Sequence, residues 1–228
     1  MYKLYIANKN YSSWSLRPWV LMKELSIEFE EKLIPFIEGS NWEPFRDFCP
    51  SGTVPCLQDN ALTVWDSMGI VEYLAESHTS VWPEELRART WARCAAAEMH
   101  SGFSTLRNEC PMNCGLRIRL NEITTALQHD IDRIEELWQQ GIDQFGGPFL
   151  AGKNFTAVDA FFAPVAFRMQ TYDLLQSETA KDYVQTLLSL ESIKSWQGEA
   201  LVEPWFEEAH EQEAKDSGEI LKDYRNIK

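Results

Sequence analysis

Hydroxyl groups gathered where a strand gives way to a helix can hold an anion. The run Tyr11-Ser12-Ser13-Trp14-Ser15-Leu16-Arg17-Pro18-Trp19 places three of them, Ser12, Ser13 and Ser15, just after the apolar stretch Leu4-Tyr5-Ile6-Ala7. A helix starts with backbone N–H groups that lack intrahelical partners and with the positive end of its dipole, so a thiolate is stabilised there. A serine is far too weak an acid to serve as the base, but its O–H can donate to sulfur. A free thiol titrates near about 8.5, leaving a few per cent of thiolate at neutral pH. One charge-assisted hydrogen bond plus the dipole supplies about one to two pKa units, each about 1.4 kcal/mol.

Two further pairs have chemistry to offer. Asp66-Ser67 opens an apolar helical pattern, and a carboxylate beside a capping hydroxyl can take both ends of a zwitterion: its ammonium on Asp66 and its carboxylate on the helix N–H groups. Val54-Pro55 stands at the entry to a short strand. Further on, Thr156 and Asp159 have the spacing of a capping box, which is a structural device. Each feature also has an ordinary reading, as a helix cap or a strand edge.

The elements that must position these residues change in type along the chain. Leu4–Ala7, Phe29–Pro35, Val54–Leu57 and Ala61–Trp65 read as strands, and Leu16–Leu25 and the stretch after Ser67 read as helices. This order implies a small mixed sheet with helices on it. Trp82-Pro83 marks a break, and beyond it only helical periodicity is expected: one long helix over Arg87–Arg107 and another carrying Ile123, Leu127, Ile131, Ile134 and Trp138. The helix from Thr156 presents Val158, Phe161, Phe162, Val165 and Met169, with a bend expected at Pro164. The last forty or so residues read as a short helix and a solvated acidic tail. The expected domains are residues 1–78 and 84–228.

Composition narrows the partners. The formal charge of −14 leaves no basic surface for a phosphate backbone, so nucleic acid is excluded as a partner. No apolar stretch reaches the length of a membrane span, and the chain runs into its first strand without a basic-then-apolar leader, so a cytoplasmic location is expected. Five cysteines, Cys49, Cys56, Cys94, Cys110 and Cys114, are an odd number without regular spacing and read as reduced thiols. Cys110 and Cys114 have no second pair or histidine near them, so no metal site is expected.

In this order, before a helical second half, the three features resemble the soluble glutathione transferases. Ser12-Ser13-Trp14-Ser15-Leu16-Arg17 is similar to the serine-rich signature of the zeta class, which has a cysteine where this chain has Trp14. The resemblance implies an α/β thioredoxin-like N-terminal domain with a mixed four-stranded sheet, followed by an all-α helical bundle. It implies glutathione as co-substrate, with its sulfur held by Ser12 or Ser13. Four positions back from Arg17, the spacing of serine-type transferases, is Ser13; the tandem serines of the zeta signature favour Ser12. Asp66 and Ser67 would hold the γ-glutamyl end, and Val54, before a cis Pro55, the cysteinyl backbone. Arg17 and Ser15 are counted with the glutathione site, Ser15 mainly as a cap and Arg17 either orienting the site or making a surface salt bridge. The implied activity is attack of the thiolate on a small hydrophobic electrophile, as in detoxification, by a homodimer. A zeta-type cis-trans isomerase and a non-catalytic binding protein on the same fold are the alternatives.

Overall fold

The computed structural model describes residues 1–225. The first part is built on four strands, β1 (Tyr2–Ile6), β2 (Phe29–Leu33), β3 (Cys56–Asp59) and β4 (Leu62–Trp65), in the spatial order β2-β1-β3-β4. β1 and β2 run parallel with Tyr2 opposite Phe29 and Ile6 opposite Leu33, so a crossover must join them. Helix α1 (Ser13–Glu24) supplies it. The short helix α2 (Trp42–Arg46), which the periodicity did not reveal, precedes β3. β3 is antiparallel to both neighbours, with Leu57 opposite Leu4 on one side and Val64 on the other. Helix α3 (Ser67–Ala75) then buries Ile70, Val71 and Leu74, the face expected of it. This is the small mixed sheet that the element order implied, in the four-stranded, thioredoxin-like form that the resemblance implied.

A 3₁₀ turn, Thr79–Val81, leads into a helical part: α4 (Leu86–Ser101), α5 (Ser104–Glu109), β5 (Leu116–Leu120), α6 (Thr125–Phe145), α7 (Ala157–Tyr172), α8 (Glu178–Ser189), α9 (Glu191–Ala200), α10 (Glu208–Ser217) and β6 (Gly218–Asp223). At the centre lies α7, where every residue except Gln170 is buried. Its near-uniform apolar character suits a helix with neighbours on all sides, and it packs on α1, α4, α8 and β5. It continues through Pro164. Its start is fixed by the capping box: the Asp159 carboxylate accepts from the Thr156 N–H at 3.0 Å, and also from the Leu150 N–H and the Tyr183 hydroxyl at 3.0 Å each.

Three expectations are corrected. The long helix over Arg87–Arg107 is two helices, because Gly102 ends α4 where a β-carbon would lie 2.8 Å from the Glu98 carbonyl oxygen, and Phe103 follows with φ +54°. Ile123 lies outside α6, half exposed, since Thr124 caps that helix by accepting from the Leu127 N–H at 3.1 Å. The acidic C-terminal segment has the expected short helix and exposed side chains after it, but it is not an unpaired tail. β6 pairs antiparallel with β5, Leu120 opposite Gly218 and Leu116 opposite Asp223, so the second part is helical with a two-stranded sheet added. Gly218 is required there, as a β-carbon would run into the Arg119 carbonyl oxygen.

Candidate functional site

Helix α1 starts three residues earlier than its apolar pattern suggested, so the serines form its first turn. The loop from β1 turns at Asn8, whose carbonyl accepts from the N–H groups of Tyr11 (3.2 Å) and Ser12 (2.9 Å). Ser12 stands at the cap position, but its hydroxyl donates to Ser15 Oγ at 2.7 Å. Ser15 Oγ in turn accepts from the Ala7 N–H at 3.2 Å, which ties α1 to the end of β1. Ser15 is fully buried and does not reach the cleft that Ser12 and Ser13 line. Ser13 Oγ accepts from Arg168 Nη2 of α7 at 3.5 Å and has no protein acceptor for its own proton among the described residues. Of the two serines that line the cleft, Ser13 is the one whose O–H is directed to no other group among the described residues.

Across the same cleft lies the start of α3. Asp66 has φ +68°, an uncommon conformation for a side chain other than glycine and one that costs about 1–3 kcal/mol. It is held by its own cap, Oδ1 accepting from Met68 N at 2.8 Å and Gly69 N at 3.3 Å, while Oδ2 lies 3.4 Å from His100 Nε2. These bonds use two of the N–H groups expected to be free for a ligand, leaving the amide and hydroxyl of Ser67. Ser67 Oγ accepts from Arg17 Nη1 at 3.5 Å. Arg17 is buried, stacked 4.1 Å from the ring centroid of Trp14 and 4.9 Å from that of Phe161, so the surface salt bridge expected as one option is absent among the described residues. Burial, then repulsion from Arg168 and Arg107, lowers its pKa to about 9, and it stays charged at neutral pH. It stands behind Ser67 and does not line the cleft. Val54 and Pro55, joined by a cis bond, form part of the wall between the two helix starts.

The cleft has a volume of about 890 Å³ and lies between the sheet domain and the helical part. Several of its residues carried no signal in the sequence. From α10 the ring of His210 stacks on Tyr11 (5.0 Å between centroids) and Phe36 (5.2 Å), its Nδ1 held 2.7 Å from Glu207. Tyr11 donates its hydroxyl to Glu211 at 2.6 Å, and burial with that bond pushes its pKa far up, so it competes with no serine for a thiolate. From α5 and α7 come Arg107 and Arg168. A single arginine inside an otherwise apolar helix was a usable signal for Arg168; Arg107 had none. Burial pushes the Cys110 thiol up to about 12, and Cys114 is likewise fully buried and raised. Among the described residues no cluster of three His, Cys, Asp or Glu could hold a metal ion.

Residues 11–77 match the family model described as glutathione S-transferase, N-terminal domain. Glutathione S-transferase-like protein OpS6 of Beauveria bassiana is 25% identical over 174 residues, 71% of this chain and 76% of that protein. Glutathione S-transferase T1 of Arabidopsis thaliana is 26% identical over 227 residues, 92% of this chain and 89% of the relative. A solved glutathione transferase homologue from Burkholderia, with bound glutathione, superposes with a TM-score of 0.65 at 20% identity, over 87% of this chain and 97% of that one.

Proposed function

We propose, on the match of residues 11–77 to the glutathione S-transferase N-terminal domain and on the fold shared with those proteins, that the cleft binds glutathione and presents the thiolate to an electrophile held against the helical part. One observation carries the reading: the starts of α1 and α3, at Ser12-Ser13 and Asp66-Ser67, open into the same cleft. A zwitterionic peptide with a thiol needs two such ends.

In this reading the Ser13 hydroxyl donates to sulfur, and the N-terminal dipole of α1 and the nearby Arg168 cation add to the stabilisation. The thiol proton passes to solvent, and the thiolate attacks the electrophile. At the other end Asp66 faces the γ-glutamyl ammonium, while the carboxylate meets the amide and hydroxyl of Ser67, with Arg17 behind adding charge. Ser12 and Ser15 hold the first turn in shape. Trp14 lines the cleft where the zeta signature has a thiol, so conjugation rather than isomerisation is the activity favoured. The homodimer that the family implies belongs to the same reading and is checked by light scattering.

The test is retention on immobilised glutathione followed by titration of the ultraviolet thiolate band. Retention with a thiol pKa about one to two units below its ordinary value is expected. A chain that neither binds glutathione nor lowers its pKa is not a transferase. A conjugation assay run beside a cis-trans isomerisation assay decides between the two activities.

A further inference from the structure

On the glutathione reading, a proton must leave the thiol, and the groups placed around the sulfur do not take it. Ser13 donates, and Arg168 is a cation. Tyr11 gives its hydroxyl to Glu211 at 2.6 Å. Of the side chains that line the cleft, three end in a carboxylate or an imidazole: Asp66, Glu213 and His210. Asp66 caps α3 through Oδ1 and faces His100 through Oδ2. Glu213 is exposed, with no hydrogen bond to fix its side chain among the described residues. That leaves His210.

The His210 ring is fixed on three sides. It lies between Tyr11 and Phe36, at 5.0 and 5.2 Å between centroids and 20° and 25° between planes. Its Nδ1 lies 2.7 Å from Glu207 Oε2, and the same oxygen accepts from the His210 N–H at 2.8 Å, so the residue that caps α10 also orients the ring. The neighbouring Glu211 is occupied by Tyr11 and Arg225. A carboxylate only accepts, so the proton of the neutral ring sits on Nδ1 and the lone pair on Nε2. Nε2 has no protein partner among the described residues, and the side chain is 32% exposed against 11% for Glu207. One nitrogen oriented by a carboxylate and the other bare is the arrangement of a general base.

Tyr11 immediately precedes Ser12 and Ser13, so a ring stacked on it stands beside the turn that meets the sulfur. We propose that His210 is the general base of the transfer and takes the thiol proton of glutathione on Nε2, directly or through one water. This rests on the glutathione reading and gives the proton its route within it. The S–H bonding pair stays on sulfur as the thiolate, which Ser13 holds. His210 becomes an imidazolium whose Nδ1–H still faces Glu207, and that carboxylate offsets the new charge. Sulfur's electron pair then forms the C–S bond as the bond to the leaving group breaks, and that group departs with the bonding pair. The imidazolium, partly exposed, gives its proton to water and the base is restored.

The test needs no second substrate: glutathione is mixed rapidly with the full chain and the ultraviolet thiolate band is followed in time. His210→Phe keeps a ring on Tyr11 and Phe36 and removes the base. It is expected to melt as the unaltered chain does, to bind glutathione, and to form the thiolate about tenfold to a hundredfold more slowly. His210→Ala is expected to be as slow, and added imidazoles to restore a rate that rises with their basicity, which a ring needed only for packing does not predict. Glu207→Gln keeps an acceptor at the cap but lets its amide donate to Nδ1, which moves the ring proton to Nε2; it is expected to be slowed like His210→Phe. An unchanged rate in His210→Phe overturns the base. So does a loss in both His210 variants that added imidazole does not recover. Failure of the unaltered chain to bind glutathione overturns the glutathione reading instead.

Discussion

At the scale of single residues, adjacent serines with the same chemistry have different tasks because their protons go to different places. Ser12 gives its proton to Ser15, which anchors the end of β1, whereas Ser13 accepts from Arg168 and keeps its own proton available. Ser13→Ala is expected to raise the pKa of bound glutathione by about one unit. Ser12→Ala should move it little and lower stability by about 1 kcal/mol, the worth of one buried hydrogen bond. Titration of the thiolate band and urea unfolding separate the two effects. Asp66 also has two tasks, capping α3 with Oδ1 and presenting negative charge. Asn caps about as well as Asp, so Asp66→Asn isolates the charge. It is expected to raise KM for glutathione about tenfold with the melting temperature little changed, as one charge-assisted hydrogen bond is worth.

At the scale of elements, helix boundaries decide what reaches the cleft. The break at Gly102-Phe103 turns the chain into α5, which brings Arg107 to Trp14. The start of α7 depends on Asp159, whose carboxylate accepts from Leu150, Thr156 and Tyr183, three separate places in the chain. Burial raises this carboxyl to about 6 from an ordinary 3.8, even though its hydrogen bonds pull it down. Folding therefore takes up a proton between those values. The group's contribution is whole below about pH 4 and is lost as the pH rises through about 6. Asp159→Asn is expected to remove this part of the pH dependence and to lower stability by about 2–4 kcal/mol, because buried donors lose their acceptor. Urea unfolding across that pH window measures both.

At the scale of the molecule, the two parts are fastened together beside the site by Lys9, which is 1% exposed. Its ammonium pairs with Glu31 of β2 at 2.8 Å and with Glu199 of α9, and it lies 5.1 and 5.5 Å from the ring centroids of Trp19 and Trp196. Its carbonyl accepts from Trp196 Nε1 at 2.8 Å, and its N–H donates to Glu203 at 2.6 Å. The loop that leads to Ser12 is thus held by both parts of the chain. Lys9→Met fills the same space without charge and leaves two partly solvated carboxylates unpaired. It is expected to cost about 2–3 kcal/mol, less than for a fully buried pair. Calorimetric or urea unfolding should show a single earlier transition rather than separate melting of the two parts, because the fastening is shared.

The sequence alone determined the sheet domain, the start of α3 at Asp66-Ser67 and the capping box at Thr156 and Asp159, because periodicity and caps are written within a few neighbouring residues. It also carried the resemblance, through three short motifs in order. The tertiary structure decided what depends on partners far along the chain. Ser13 is distinguished from Ser12 by Arg168, 155 residues away, and Tyr11 is withdrawn from the chemistry by Glu211, 200 residues away. The acidic C-terminal segment was expected to hold a short helix, but its strand forms only because β5 offers an edge, and its His210 reaches the cleft only because Tyr11 and Phe36 offer rings. The cluster of arginines has the same origin. Charges separated by 61 to 151 positions cannot be seen to meet beside one cleft until α5 and α7 have packed against α1.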